Sequence, residues 1–298
     1  MTVKTQTQTQ TQSGSLARIF NSRKNYLKVP WWQYLLALFL SVLFLFPLYW
    51  MGSTSLKTME QAYAFPPVWI PNPIMWENYV RIFTELPFAL FTLNSLIITV
   101  LNTIGVTFSA AFVAFGFARL RAKGRDVLFI ILISTIMLPY QVILVPTFLL
   151  FKYLGWINTF GPLIVPAFFG GGAFNIFLLR QFFMGIPFEY DEAAIMDGAG
   201  WFRIFWSIIL PMAKPALTAV AVLNIVYVWT DFFGPLIYLN DLNKMTLAVG
   251  LAFLRGQHSA VLTLLMAGSM LSTIPMLIVF FLAQRYFVSG IQLGGIKG

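Results

Sequence analysis

The chain contains no cysteine and a single histidine, His258. Disulfide frameworks and thiol catalysis are therefore excluded, and a Cys- or His-based metal site nearly so. Charge is scarce as well: 10% of the 298 residues are Asp, Glu, Lys or Arg, against about a quarter in soluble domains. Acids are the rarer sign, and the net charge is +9. Such a balance can mark a nucleic-acid binder, but here the basic residues are scattered between apolar runs instead of gathered on a solvated face, so no nucleic-acid partner is expected. No Gly-Lys dipeptide occurs. The phosphate loop G-x-x-x-x-G-K-[ST] is thus missing, and any ATP must be hydrolysed on another polypeptide.

What is abundant is hydrophobic, 59% of the residues. Six windows are free or nearly free of charge: Lys28 to Lys57, Glu85 to Arg119, Asp126 to Lys152, Lys152 to Arg180, Lys214 to Asp241 (broken only by Asp231) and Arg255 to Arg285. An ionised side chain at mid-bilayer costs at least ~2.5 kcal/mol, and each window holds the roughly 20 residues that a spanning helix needs. The sequence therefore predicts an all-α polytopic membrane protein with six transmembrane helices. The first window opens on Trp31 and Trp32 and closes on Tyr49 and Trp50, a pair of aromatic belts about 27 Å apart at helical rise. It is too long for a cleaved signal and lacks a small-x-small site, so it reads as a retained helix. Residues 1–30, with a Thr-Gln alternation from Thr5 to Gln12, have little to bury and are expected to be a disordered cytoplasmic segment. Residues 31–298 form the six-helix transmembrane domain.

Fourteen of the nineteen basic residues fall on one side when loops are counted alternately. That side holds both termini, the loop from Arg119 to Arg125 and the long loop after the fourth window, and the positive-inside bias makes it cytoplasmic. The long loop, residues 185–215, begins with Pro187 and then Glu189, Asp191 and Glu192, a helix start with acids at the positive end of the dipole. Gly198 and Gly200 supply the stop. A second apolar helix follows from Trp201, ended by Pro211 and Pro215. Ala193 and Ala194 are small enough for a partner surface to approach closely.

Glu192, Ala193, Ala194, Gly198, Ile208, Leu210 and Pro211 fit the pattern E-A-A-x3-G-x9-I-x-L-P at every specified position. The loop therefore resembles that of ABC importer permeases, and Asp197 and Ala199 match the D-G-A variant of the carbohydrate branch. The resemblance extends from about Trp31 to the C-terminus. Asn78-Tyr79, Asn94-Ser95, Trp229 to Leu236 and Gln284 to Gly298 are similar to stretches of the maltose-permease type. It implies a type I importer permease fold in a bacterial inner membrane, importing a sugar or sugar-like solute. It further implies a coupling helix at Glu192 to Gly198, seated in an ATPase groove, and a tail contact from Gly290, Gly294 and Lys297. Implied partners are a second permease subunit, an ATPase dimer that carries the ATP and Mg, an extracytoplasmic solute-binding protein and the lipid bilayer. The chain itself would be a non-catalytic translocation subunit without cofactor. One departure is Thr230, where the family usually has Asn beside Asp231.

Trp229 and Asp231 are the candidates for the translocation pathway. Asp231 either lines a wet cavity or caps the helix break at Gly234-Pro235. Gly170, Gly171 and Gly172 mark either close helix packing or a helix interruption. Two other functions compete. An ion-gradient-driven secondary transporter would favour internal repeats and mid-membrane ionisable residues, and an intramembrane protease would need a base that only His258 could supply beside Ser269.

Overall fold

The computed structural model describes residues 30–257 and 262–294; residues 1–29, His258 and Lys297 lie outside them. No strand occurs among the described residues. Contacts divide the chain into two units, residues 1–53 and 54–298. The described part of the first is nearly all of α1, Trp31–Ser55. Its sequence is apolar around the whole circumference, and none of its most hydrophobic window is buried in protein. Such a helix requires lipid as its solvent.

The second unit begins with two short helices, α2 (Met59–Tyr63) and α3 (Glu77–Glu85). Asn78 ties them down: its amide donates to the carbonyls of Ser55 and Lys57, at 2.9 and 3.0 Å. The long helix α4 (Phe88–Arg119) follows. At about 1.5 Å per residue its 32 residues run about 48 Å, more than the hydrocarbon thickness of a bilayer. Next come α5 (Arg125–Ser134), α6 (Tyr140–Tyr153), α7 (Gly161–Ile164) and α8 (Ala173–Met184). The loop helix α9 (Glu189–Met196) leads to α10 (Trp201–Ile204), a π-turn at Phe205–Ile209 and α11 (Leu210–Met212). The chain closes with α12 (Lys214–Trp229), α13 (Phe233–Tyr238), α14 (Leu247–Gln257) and α15 (Leu262–Gly294).

Each of the six apolar windows coincides with helix, but not with six straight rods. Four segments are long and apolar enough to cross a membrane: Trp31–Ser55, Phe88–Arg119, Gly161–Met184 and Leu262–Gln284. Two more are bent pairs, Arg125–Met137 with Tyr140–Tyr153 at 98° and Trp201–Met212 with Lys214–Trp229 at 77°. The first bend falls at Pro139, whose ring holds the chain extended (φ −62°, ψ 140°) and removes one backbone donor. The second falls at Ala213, between Pro211 and Pro215. The described residues thus hold four candidate spans, or six if each bent pair is one span.

α4 is the central post. Its small residues Ala110, Ala111 and Ala114 are buried, together with Ile176, Leu179 and Phe183 of α8, Ile204 and Ile209 of the loop and Val220 of α12. Within lipid, helices gain little by hiding apolar surface from one another, so close packing and interhelical hydrogen bonds decide the association. Polar residues are spaced along α4 accordingly. Asn94 donates to the carbonyls of Asn243 and Met245, and Ser95 accepts from the Leu247 amide. Asn102 donates to Leu163 and accepts from Asn224, and Ser109 donates to Ala167.

The glycine triplet satisfies both of its readings. Gly170, Gly171 and Gly172 all have positive φ, +100°, +67° and +84°, which interrupts the helix just before α8. Gly171 also lies so close to α4 that a Cβ there would stand 2.4 Å from the Val106 carbonyl oxygen. Nothing lies within 4 Å of a Cβ at Gly170. Gly171→Ala should therefore sharply lower the yield of folded protein, measured by detergent-extracted thermal melting. Gly170→Ala should cost only the backbone term, on the order of 1–3 kcal/mol.

Candidate functional site

The expected coupling loop is built on two faces. α9 carries Glu189, Asp191 and Glu192 in its first turn, where carboxylates meet the positive end of the helix dipole. Asp191 and Ala194, three residues apart and hence on one helical face, point inward. Asp191 is 0% exposed and Ala194 9%. The opposite face is open, with Tyr190, Glu192, Ala193, Met196 and Asp197 exposed. The two alanines of the motif therefore do different work. Ala194 is small because α9 lies against the buried cluster formed with Phe183, Ile186 and Phe205. Ala193 is small on the side left free for a partner.

The end of α9 explains Gly198. Its φ is +79°, the Gly198 amide donates to the carbonyl of Ile195, and the Ala199 amide reaches back to Ala194, each at 2.9 Å. This is the paired closure of a left-handed helix cap, which favours glycine because it lacks a Cβ. Asp197 is the last residue before it, and Ala199 is half-buried against the core. The rest of the motif anchors the second helical run. Leu210 is buried and Ile208 packs on the same cluster, while Pro211 is exposed in the first turn of α11. Phe205 packs against Phe115 in a tilted pair and against Phe112 edge-on, both on α4, with ring centroids 5.1 and 5.6 Å apart.

Sequence reasoning missed the residue pair that seats this loop. Arg119, the last residue of α4, places Nη1 3.2 Å from Oδ2 of Asp191, with side-chain exposures of 3% and 0%. Its Nη2 donates to the Ile186 carbonyl at 2.8 Å, and its guanidinium carbon lies 5.3 Å from the centre of the Phe188 ring. Neither oxygen of Asp191 accepts a hydrogen bond. The contact is held by charge alone. Burial pushes the Asp191 carboxyl above the ordinary carboxylate range, and the nearby guanidinium pulls it back. Arg119 had the look of a loop charge; the signal that could have found it is the helical phase that puts Asp191 on the Ala194 face.

Elsewhere the pathway candidates separate. Trp229 is 7% exposed, packed with Ile82, Phe88, Phe91 and Leu247, and its indole N–H donates to the Ser272 carbonyl. Asp231 fulfils both of its alternatives. Its Oδ1 accepts from the amides of Phe233 and Gly234 at 3.0 and 3.2 Å, capping α13. It also lines a cavity of about 320 Å³ with Asn102, Tyr140, Thr147, Tyr227 and Tyr238. The Tyr140 and Tyr238 hydroxyls there lie 3.5 Å apart. Thr230 turns back and donates to the Val226 carbonyl at 2.7 Å. Gly290 and Gly294 fall in the last turns of α15.

Residues 107–292 match the family described as binding-protein-dependent transport system inner membrane component. The chain belongs to that family. It is 33% identical over 257 residues to the probable ABC transporter permease protein YurM of Bacillus subtilis, covering 85% of this chain and 84% of that protein. It is 31% identical to the trehalose/maltose transport system permease protein MalG of Thermococcus litoralis, covering 88% and 95%. Among solved structures, a chain of a bacterial ABC transporter involved in the import of the acidic polysaccharide alginate superposes with a TM-score of 0.74 at 26% identity, covering 91% of this chain and 97% of that one. The protein is thus a multi-pass inner-membrane permease of the ABC importer type, with the type I fold.

The permease's loop geometry sets two expectations. Arg119→Met alone should destabilise the protein by about 3–5 kcal/mol, because it strands a buried carboxylate, whereas Arg119→Met combined with Asp191→Leu should restore most of the loss; thermal unfolding in detergent measures both. Ala194→Leu should lower the folded yield, and Ala193→Leu, on the open face, should leave it unchanged.

Proposed function

We propose that this chain is one of two membrane subunits of an ATP-driven sugar importer and that the open face of α9 seats on a partner ATPase. The observation that carries this reading is the division of α9. A short helix whose inner face is fixed by a buried ion pair presents Tyr190, Ala193 and Met196 outward among the exposed acids Glu189, Glu192 and Asp197, and a rigid foot with such a mixed open face suits a groove on another protein. The two ATPases would carry ATP and Mg. A second permease would complete the pore, and an extracytoplasmic binding protein would deliver the solute. The tail that continues from Gly290 and Gly294 to Lys297 is a second candidate contact with the ATPases.

The carbohydrate assignment draws on the names of the relatives and on the chemistry of the Asp231 cavity. Tyrosine rings can lie against the C–H faces of a sugar, while a carboxylate and hydroxyls meet its hydroxyl groups. At about 320 Å³ the cavity is at the small end of ligand pockets, suiting one or two sugar rings in passage.

Purified chain, partner permease and ATPases in proteoliposomes, offered a mixture of maltodextrins and arabino-oligosaccharides, should accumulate at least one of them only when ATP is supplied. Uptake driven by an ion gradient with this chain alone would favour a secondary transporter. In the same system Asp231→Asn should lower uptake about tenfold through the loss of a charged hydrogen-bond acceptor worth about 1.5–3 kcal/mol. Unchanged uptake at normal membrane abundance would remove Asp231 from the pathway.

A further inference from the structure

A buried carboxylate that accepts no hydrogen bond is a poor stabilising device. Apolar side chains of similar volume in place of Arg119 and Asp191 would fill the same space without desolvating two charges, and such replacements are commonly neutral or stabilising. What the pair supplies, and an apolar pair would not, is a directional hold. Arg119 grips α9 through Asp191 and the start of the loop through the Ile186 carbonyl, so the loop has two points of attachment to one guanidinium. Arg119 is also the terminal residue of α4. The loop is therefore fastened to the end of an unbroken 32-residue helix in the body of the protein.

The other end of α4 is fastened just as specifically. Asn94 donates twice, at 2.9 and 3.0 Å, to the carbonyls of Asn243 and Met245, and Ser95 accepts from the Leu247 amide at 2.8 Å. Between the ends the helix contains no proline, the usual cause of a sharp kink. The neighbouring routes are broken: α5 and α6 meet at 98°, and the run ending at α11 meets α12 at 77°. α4 joins the loop to the segment 243–247 by hydrogen bonds at one end and an ion pair at the other without a break, whereas α12, which starts inside the loop at Lys214, meets Leu247 only in the apolar cluster around Trp229.

We propose that α4 is the shaft that carries movement of α9 to the segment 243–247 on the opposite side of the membrane, and that Arg119 and Asp191 are the positioning residues of its cytoplasmic joint. This goes beyond the docking of α9 on an ATPase: it states which helix receives the displacement and where it emerges. It rests on the importer reading.

The test uses the assembled complex in proteoliposomes, with wild-type chain, Asp191→Asn and the double variant Arg119→Met with Asp191→Leu. Three quantities are read: ATP hydrolysis, uptake per ATP hydrolysed, and hydrogen–deuterium exchange of residues 240–247 with and without ATP and vanadate. The double variant should retain its ATPase partner and hydrolyse ATP within about twofold of wild type, yet transport about tenfold less per ATP. The nucleotide-dependent change in exchange at 240–247, present in wild type, should disappear. A merely structural role predicts that the double variant, which has no stranded charge, recovers wild-type transport per ATP and the exchange response. That result overturns the proposal, as does a wild-type complex that transports with no nucleotide-dependent change at 240–247. Should Asp191→Asn fail to assemble, the double variant decides alone. Absence of ATP-driven uptake in wild type would instead strike the importer reading itself.

Discussion

The buried contact between Arg119 and Asp191 fixes where α9 sits, and the division of that helix into a buried and an open face depends on it. Two charges 3.2 Å apart and almost wholly removed from water tolerate little separation, because each is left costly without the other. The pair joins favourable ends of two helix dipoles as well: a cation at the C-terminus of α4 and an anion in the first turn of α9. With Asp191 and Ala194 held inward, helical phase turns Ala193 and Met196 outward. The docking face is thus a consequence of the buried one.

A second constraint comes from the membrane. Apolar burial contributes little between helices already surrounded by hydrocarbon, so polar contacts and small residues must specify the packing. α4 shows both devices, with Ala110, Ala111 and Ala114 against α8 and a ladder of Asn94, Ser95, Asn102 and Ser109 bonding to backbone on other segments. Gly171 allows the interrupted helix before α8 to approach the Val106 carbonyl. The bends at Pro139 and Ala213 then leave non-helical backbone near the Asp231 cavity and the loop. Irregular backbone at such depth is tolerated where it lines a cavity or is covered by protein.

Much of this was legible before any coordinates. Apolar windows locate helices because a charge inside the bilayer is expensive, and each window found one. The loop pattern from Glu192 to Pro211 located the short helix α9, and Gly198 occupies the left-handed cap that ends it. What could not be read were relations between distant residues. Arg119 counted as one more basic loop residue, and Asp191 as a dipole acid, since nothing in their spacing reveals that they meet. Ala193 and Ala194 looked equivalent until the helical phase was fixed. Trp229, grouped with Asp231 for its motif, packs in an apolar cluster and does not line the Asp231 cavity, a difference that composition alone does not reveal. Charge-free windows also give no sign of a bend of 98°, because a broken helix and a straight one can have the same composition.

The account stands most directly on which face of α9 meets the ATPase. The chain has no native cysteine, so a single cysteine at 193 or 194 is the one thiol this subunit contributes to the purified complex, where a short thiol-to-amine cross-linker can be applied with the cysteine-free chain as control. A covalent product with the ATPase subunit from Ala193→Cys, and none from Ala194→Cys, is the predicted result. Equal products from both, or none from Ala193→Cys in a complex that still transports, would contradict it.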